Sequence, residues 1–215
     1  MKSLRASIAL AVFLIAAAAH AANKVDMRDP RRAVGREDDV RVDAELVQDS
    51  VSQHSKIGVV YQIQNLTQSP IALADKISDA TYDSDTQTIT VSFGAEVPDG
   101  ATMPHLVVIA PGETKTFHGC GSLNIPTPNV RSPWTPLPRF VQVKVTVLRD
   151  LEPFAALIEQ QNKTTAAPPL SNDGFDRWVN SVASVFLNPI PVRFDGSKRN
   201  DGGVDAEQGT AAGTF

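Results

Sequence analysis

Phe140-Val141-Gln142-Val143-Lys144-Val145-Thr146-Val147-Leu148 is the stretch that decides the fold. Valine stands at 141, 143, 145 and 147, with Gln142, Lys144 and Thr146 between. A strand turns successive side chains to opposite faces, so this period of two gives one apolar face and one polar face. Upstream lie Pro126, Pro128, Pro133, Pro136 and Pro138. Each lacks an N–H and fixes φ, so the segment is expected to be a long extended connection, neither helix nor central strand.

The same alternation recurs toward the N-terminus. Val40, Val42, Ala44 and Leu46 alternate with Arg41, Asp43 and Glu45, and Ile57, Val59, Tyr61 and Ile63 follow. Asn65 to Pro70 reads as a polar turn before Ile71-Ala72-Leu73. Thr81-Tyr82 and Thr88 to Phe93 flank Asp83-Ser84-Asp85-Thr86 and predict a hairpin with Ile89, Val91 and Phe93 on one side. His105 to Ile109 ends at Ala110-Pro111-Gly112-Glu113, where Pro then Gly suits a type II turn, and Thr114 to Phe117 is expected to be the returning strand. About seven strands in roughly 110 residues, with no helix between them, is the spacing of an antiparallel β-sandwich.

Helical periodicity is confined to the C-terminal side. Leu151 to Gln161 suits a short helix. After a Thr/Ala/Pro linker, Phe175, Trp178, Val179, Val182 and Phe186 fall at helical spacing, predicting a helix from Phe175 to Leu187 capped by Asn172 or Asp173 and ended by Pro189. An aromatic stripe of this kind either packs on the body or docks a partner. Ile190, Val192 and Phe194 alternate like a short edge strand. The expected organisation is a signal peptide over 1–21, a flexible leader over 22–39, the sandwich over 40–150, a helical extension packed on it over 151–194, and a disordered tail over 195–215.

Lys2 and Arg5 precede an apolar run from Ala6 to Ala19, and Ala19-His20-Ala21 has the small-x-small form that signal peptidase cuts. The run is shorter than the roughly 20 residues that span a bilayer. The chain is therefore expected to be exported, periplasmic or extracellular, with no transmembrane segment after cleavage. The 215 residues are 42% hydrophobic and 20% charged, enough for one domain with a sizeable core. Net charge is -4, more negative still once Lys2 and Arg5 are removed, so there is no electrostatic reason to bind nucleic acid. Cys120 is the single cysteine and has no partner within the chain.

Tyr61-Gln62-Ile63-Gln64-Asn65-Leu66-Thr67-Gln68-Ser69-Pro70-Ile71 resembles the B strand and B–C turn of secreted bacterial immunoglobulin-like domains. Pro111-Gly112-Glu113 with Phe117 is similar to the proline-glycine corner before a late strand in the same broad group. The resemblance covers Val40 to Leu148 and implies a sandwich used for binding or assembly. It carries over no functional residues, and one cysteine rules out the inter-sheet disulfide of antibody-type domains.

Motifs of hydrolases, nucleotide binders and zinc proteases are missing from the sequence. His118-Gly119-Cys120-Gly121-Ser122 could hold a reactive thiol if His118 served as its base, or a plain cysteine in a turn. His54, His105 and His118 lack ligand spacing. Asp79, Asp83 and Asp85 offer oxygens for Ca²⁺ but no complete loop pattern, and Asn65-Leu66-Thr67 and Asn162-Lys163-Thr164 fit the N-glycosylation pattern. No catalytic, cofactor-binding or metal-ligating residue is assigned. Trp134 and Trp178 are the candidate partner-binding residues. The reading is an exported, non-catalytic module for binding another protein or assembling an envelope component. The alternative is a secreted inhibitor or enzyme using a loop near Cys120 or Trp134.

Overall fold

The computed structural model describes residues 29–52, 56–98, 102–123, 136–164 and 167–195. The expected signal peptide, the expected leader up to 28, His54, Trp134, most of the proline-rich connection and the expected tail beyond 195 lie outside the described residues. Within them the protein is mainly β, with several sheets and two short helices toward the C-terminal side.

The strands are β1 (Arg32–Glu37), β2 (Val40–Leu46), β3 (Ser50–Ser52), β4 (Lys56–Asn65), β5 (Ile71–Ala74), β6 (Ser78–Asp83), β7 (Thr88–Phe93), β8 (Leu106–Ile109), β9 (Thr114–Ser122), β10 (Phe140–Leu148), β11 (Val182–Phe186), β12 (Ile190–Pro191) and β13 (Arg193–Asp195). One sheet has the order β1-β2-β4-β9. A second runs β6-β7-β10-β5-β8, with β11 and β12 also paired to β10, and β13 pairs with β3 apart from both. Most pairs are antiparallel, but β7–β10 and β13–β3 are parallel, which the sequence reading did not anticipate.

The two larger sheets share one core. Val42, Tyr61 and Ile63 of the first meet Ile89, Val91, Val143 and Val145 of the second, and all are buried. The Tyr61 and Phe93 rings stack across the interface with centroids 4.6 Å apart, and Phe117 stacks on Tyr61 from the other side at 5.4 Å. Complete burial of such side chains contributes about 1.5–3 kcal/mol each, so this layer dominates the stability.

The lateral edges of the two sheets come together. A Cβ on Gly35 of β1 would stand 2.7 Å from the Phe186 carbonyl oxygen of β11. On the opposite side the Ser78 hydroxyl of β6 donates to the Cys120 carbonyl of β9 at 2.9 Å. Edge strands that abut each other are not open templates for a second chain.

Four local expectations are revised. Arg32–Glu37, placed in the flexible leader, is a strand. It joins β2 through Asp38 and Asp39, both at positive φ, the geometry of a two-residue hairpin whose twist matches its strands. Next, β9 does not return along β8. The Ala110–Glu113 turn closes as expected, with Glu113 N–H donating to Ala110 O at 3.0 Å and Gly112 at φ +73°, but it carries the chain from the second sheet to the first. The C-terminal helix, α2 (Asn172–Ser181), stops short of Leu187, and the Ser171 hydroxyl caps it by accepting from Gly174 N–H at 3.1 Å. Finally, residues 182–186 pair with β10. Their Val-Ala-Ser-Val-Phe sequence is rich in β-branched residues, and the open edge of β10 supplies hydrogen bonds that outweigh a weak helix preference.

A 3-10 turn over Glu152–Phe154 leads into α1 (Ala155–Lys163). This extension packs on the outer side of β5 and β8. Strand β5 is buried on both faces, with Ile71 and Leu73 in the main core and Ala72 and Ala74 under the extension. Phe154, Leu170, Trp178, Met103, Leu106 and Leu148 complete this second core. Among the described residues no helix is long and apolar enough to cross a membrane.

Candidate functional site

Trp178, a candidate for partner binding, is inside the protein. It is 1% exposed, meets Phe154 edge-on at 5.7 Å and donates its indole N–H to the Ala95 carbonyl at 3.1 Å. It holds the extension down and presents no surface to a partner. Trp134 lies outside the described residues.

The cluster around Cys120 has a structural explanation. β9 is extended, so Thr116, His118, Cys120 and Ser122 share its exposed face. The glycines between them face inward. A Cβ on Gly119 would stand 2.3 Å from Phe93 Cε1, and one on Gly121 would meet Val91 Cγ1 at 2.9 Å and Ala80 Cβ at 3.0 Å. They make room for the opposing sheet. Cys120 is a free, exposed thiol, and neither its side chain nor that of His118 makes a hydrogen bond or ion pair among the described residues.

The acidic turn and one glycosylation triplet are likewise engaged internally. Asp83 accepts from Asp85 N–H at 2.9 Å and Thr86 Oγ1 at 2.8 Å, bonds that hold its carboxyl below the usual range. Asp79 sits four residues away along extended β6, roughly 13 Å at strand rise. Among the described residues no group of three potential ligands could hold a metal. Asn65 is buried. Its Nδ2 donates to Ser69 O at 2.9 Å and Ile109 O at 3.0 Å, and its Oδ1 accepts from Thr67 N–H at 2.9 Å and Thr67 Oγ1 at 2.7 Å. Both amide protons are used, and an enzyme would have to unfold the turn to reach them.

Sequence reasoning missed an open cleft that forms where the extension meets the start of β8. It is a cleft of about 560 Å³ lined by Lys76, Met103, His105, Asn162, Lys163 and Pro168 among others. Four segments build it: the β5–β6 turn, the approach to β8, the end of α1, and residues 167–168. Gln161 fixes their relation by treating β8 as a neighbouring strand would. Its Oε1 accepts Leu106 N–H and its Nε2 donates to Leu106 O, both at 3.1 Å. Met103 N–H donates to Pro168 O at 2.9 Å beside a Thr102–Pro169 bridge, and Lys115 Nζ donates to Val108 O at 2.6 Å. The outer edge of β8 is thus occupied along most of its length.

Lysine and amide groups dominate the electrostatics of the cleft. His105 Nδ1 lies 2.7 Å from Asp75 Oδ1, and an ionised carboxylate can only accept, so Nδ1 carries the proton. Lys163 Nζ bonds Glu159 across one turn of α1 at 2.6 Å, with both side chains exposed. Pairs of that kind are worth about 0–1 kcal/mol and exchange readily with solvent or ligand. Lys76 makes no ion pair among the described residues. The carbonyl end of α1 opposes a negative ligand by about 0.3–1 kcal/mol, whereas a lysine about 4 Å away favours it by about 1–4 kcal/mol between water and surface dielectrics. Lys163 is paired with Glu159 and Asp75 lies against His105, so what the lining itself offers is an excess of donors, two ammonium groups and the Asn162 amide with no carboxylate among the lining residues.

A shallower groove of about 290 Å³ crosses the outer face of β1, β2 and β4. Its charges are already matched, Arg32 with Glu45 at 2.7 Å and Arg41 with Asp43 at 3.0 Å. Arg32 Nε is buried there without a hydrogen-bond partner among the described residues. No family model, curated protein or solved structure matches the chain.

Proposed function

We propose that this chain is an exported, non-catalytic module, an immunoglobulin-like β-sandwich that binds another protein or helps assemble an envelope component through the cleft between its extension and β8. Export is supported by Lys2, Arg5, the apolar run from Ala6 to Ala19 and the Ala19-His20-Ala21 site. The sandwich is supported by two sheets sharing one core and by the Pro111-Gly112 corner that links them.

The observation that carries the binding reading is the convergence of Lys76, His105, Asn162 and Lys163 from three distant segments on one open cleft, with Gln161 clamping its frame. Ammonium and amide groups on a packed frame suit holding a partner. Such positioning lowers the ordering cost of association.

The test is comparative capture. The exported protein and a Lys76→Glu/Lys163→Glu variant are each incubated with envelope extract of the producing cell. A species retained by the wild type and lost by the variant supports the reading. Retention by both alike, or by neither, contradicts it.

A further inference from the structure

We infer that the cleft at the α1–β8 junction is a site for an anionic group, a carboxylate or phosphate carried by its ligand. This rests on the reading of the cleft as the binding site and adds the chemistry of what enters it.

The lining holds the nitrogen-bearing side chains of Lys76, Lys163, His105 and Asn162 and no carboxylate. The two nearby acids are turned onto partners, Asp75 onto His105 Nδ1 at 2.7 Å and Glu159 onto Lys163 Nζ at 2.6 Å. The Glu159 pair is exposed and can yield Lys163 to a stronger acceptor. Lys76 is already without an ion pair among the described residues. Asp75 keeps the His105 ring oriented through Nδ1–H, so Nε2 of the neutral ring is an acceptor, suited to a hydroxyl on the ligand, and the donors to the oxyanion are Lys76, Lys163 and the Asn162 amide. The Gln161 amide is spent on Leu106 and takes no part in recognition; it holds α1 at the distance that keeps the cleft open. An oxyanion accepts several hydrogen bonds at once, the complement of donors that converge from separate elements. The groove on the first sheet differs in carrying the carboxylates of Asp43 and Glu45 in its own lining.

The experiment titrates the full exported chain, isotopically labelled, with inorganic phosphate and separately with citrate, following backbone amides by NMR. Potassium chloride at equal ionic strength is the control for screening. The expected result is saturable shifts at Lys76, His105, Asn162 and Lys163 with both probes and none with chloride. Binding should weaken about tenfold or more in Lys76→Gln and again in Lys76→Glu/Lys163→Glu. Unchanged β10 amides in the variants establish that the fold is intact. Shifts that never saturate, or that persist unaltered in the double variant, overturn the inference. Anion binding without charge-sensitive protein capture leaves this inference standing and removes the protein-docking reading. Charge-sensitive capture without anion binding does the reverse.

Discussion

Gly119 of β9 lies against Phe93 of β7 so closely that a Cβ would stand 2.3 Å from the ring. The glycines of the His118–Ser122 segment are therefore set by the gap between two sheets. Gly119→Ala should force the stacked Phe93–Tyr61 pair apart and cost about 1–3 kcal/mol by overpacking. Adding Phe93→Leu should recover part of the loss, because the two sites share one space. Thermal melts of the single and double variants check this. Cys120→Ser, on the outer face, should melt within about 0.5 kcal/mol of wild type.

Trp178 ties the extension to the body. Trp178→Ala should cost about 3–5 kcal/mol in urea denaturation, since it empties a buried site and leaves the Ala95 carbonyl without its donor. Trp178→Phe should fall between the two, keeping most of the packing and losing the hydrogen bond. A melt unmoved by Trp178→Ala would mean that the second core contributes nothing.

Glu113 makes the Pro111-Gly112 turn acid-sensitive. Its Oε2 accepts Ala110 N–H at 2.7 Å, and this bond, aided by the positive charge of Lys115, holds the carboxyl below its ordinary value. Folding thus favours the ionised form. The stabilisation is complete above the unfolded carboxylate pKa of about 4.3 and is lost as pH falls through the lower folded value. The melting difference between wild type and Glu113→Gln should shrink as pH is lowered from about 6 to about 3. A constant difference across that range would show that ionised Glu113 has no stabilising role.

The strands that alternate in sequence, 40–46, 57–63, 89–93 and 140–145, alternate buried and partly exposed positions in the structure, which is why their pattern was legible. Arg32–Glu37 was obscured because its inward positions are the small Ala33 and Gly35 among charges. Val182 and Phe186 fell by chance on the helical spacing of Trp178; the edge of β10, set by tertiary packing, made them strand. Trp178 read correctly as an aromatic that packs on the body, though not as one that a partner touches. The cleft left no local signal, because Lys76, His105 and Lys163 are brought together only when α1 folds back on β8.

The measurement that bears most directly on the central claim is hydrogen exchange on the protein, free and in complex with the species it captures. The account predicts that binding slows exchange at residues 75–77, 103–106 and 161–164, with β1, β2 and β9 unchanged. Protection on the outer face of the first sheet, with the cleft exchanging as in the free protein, would contradict it.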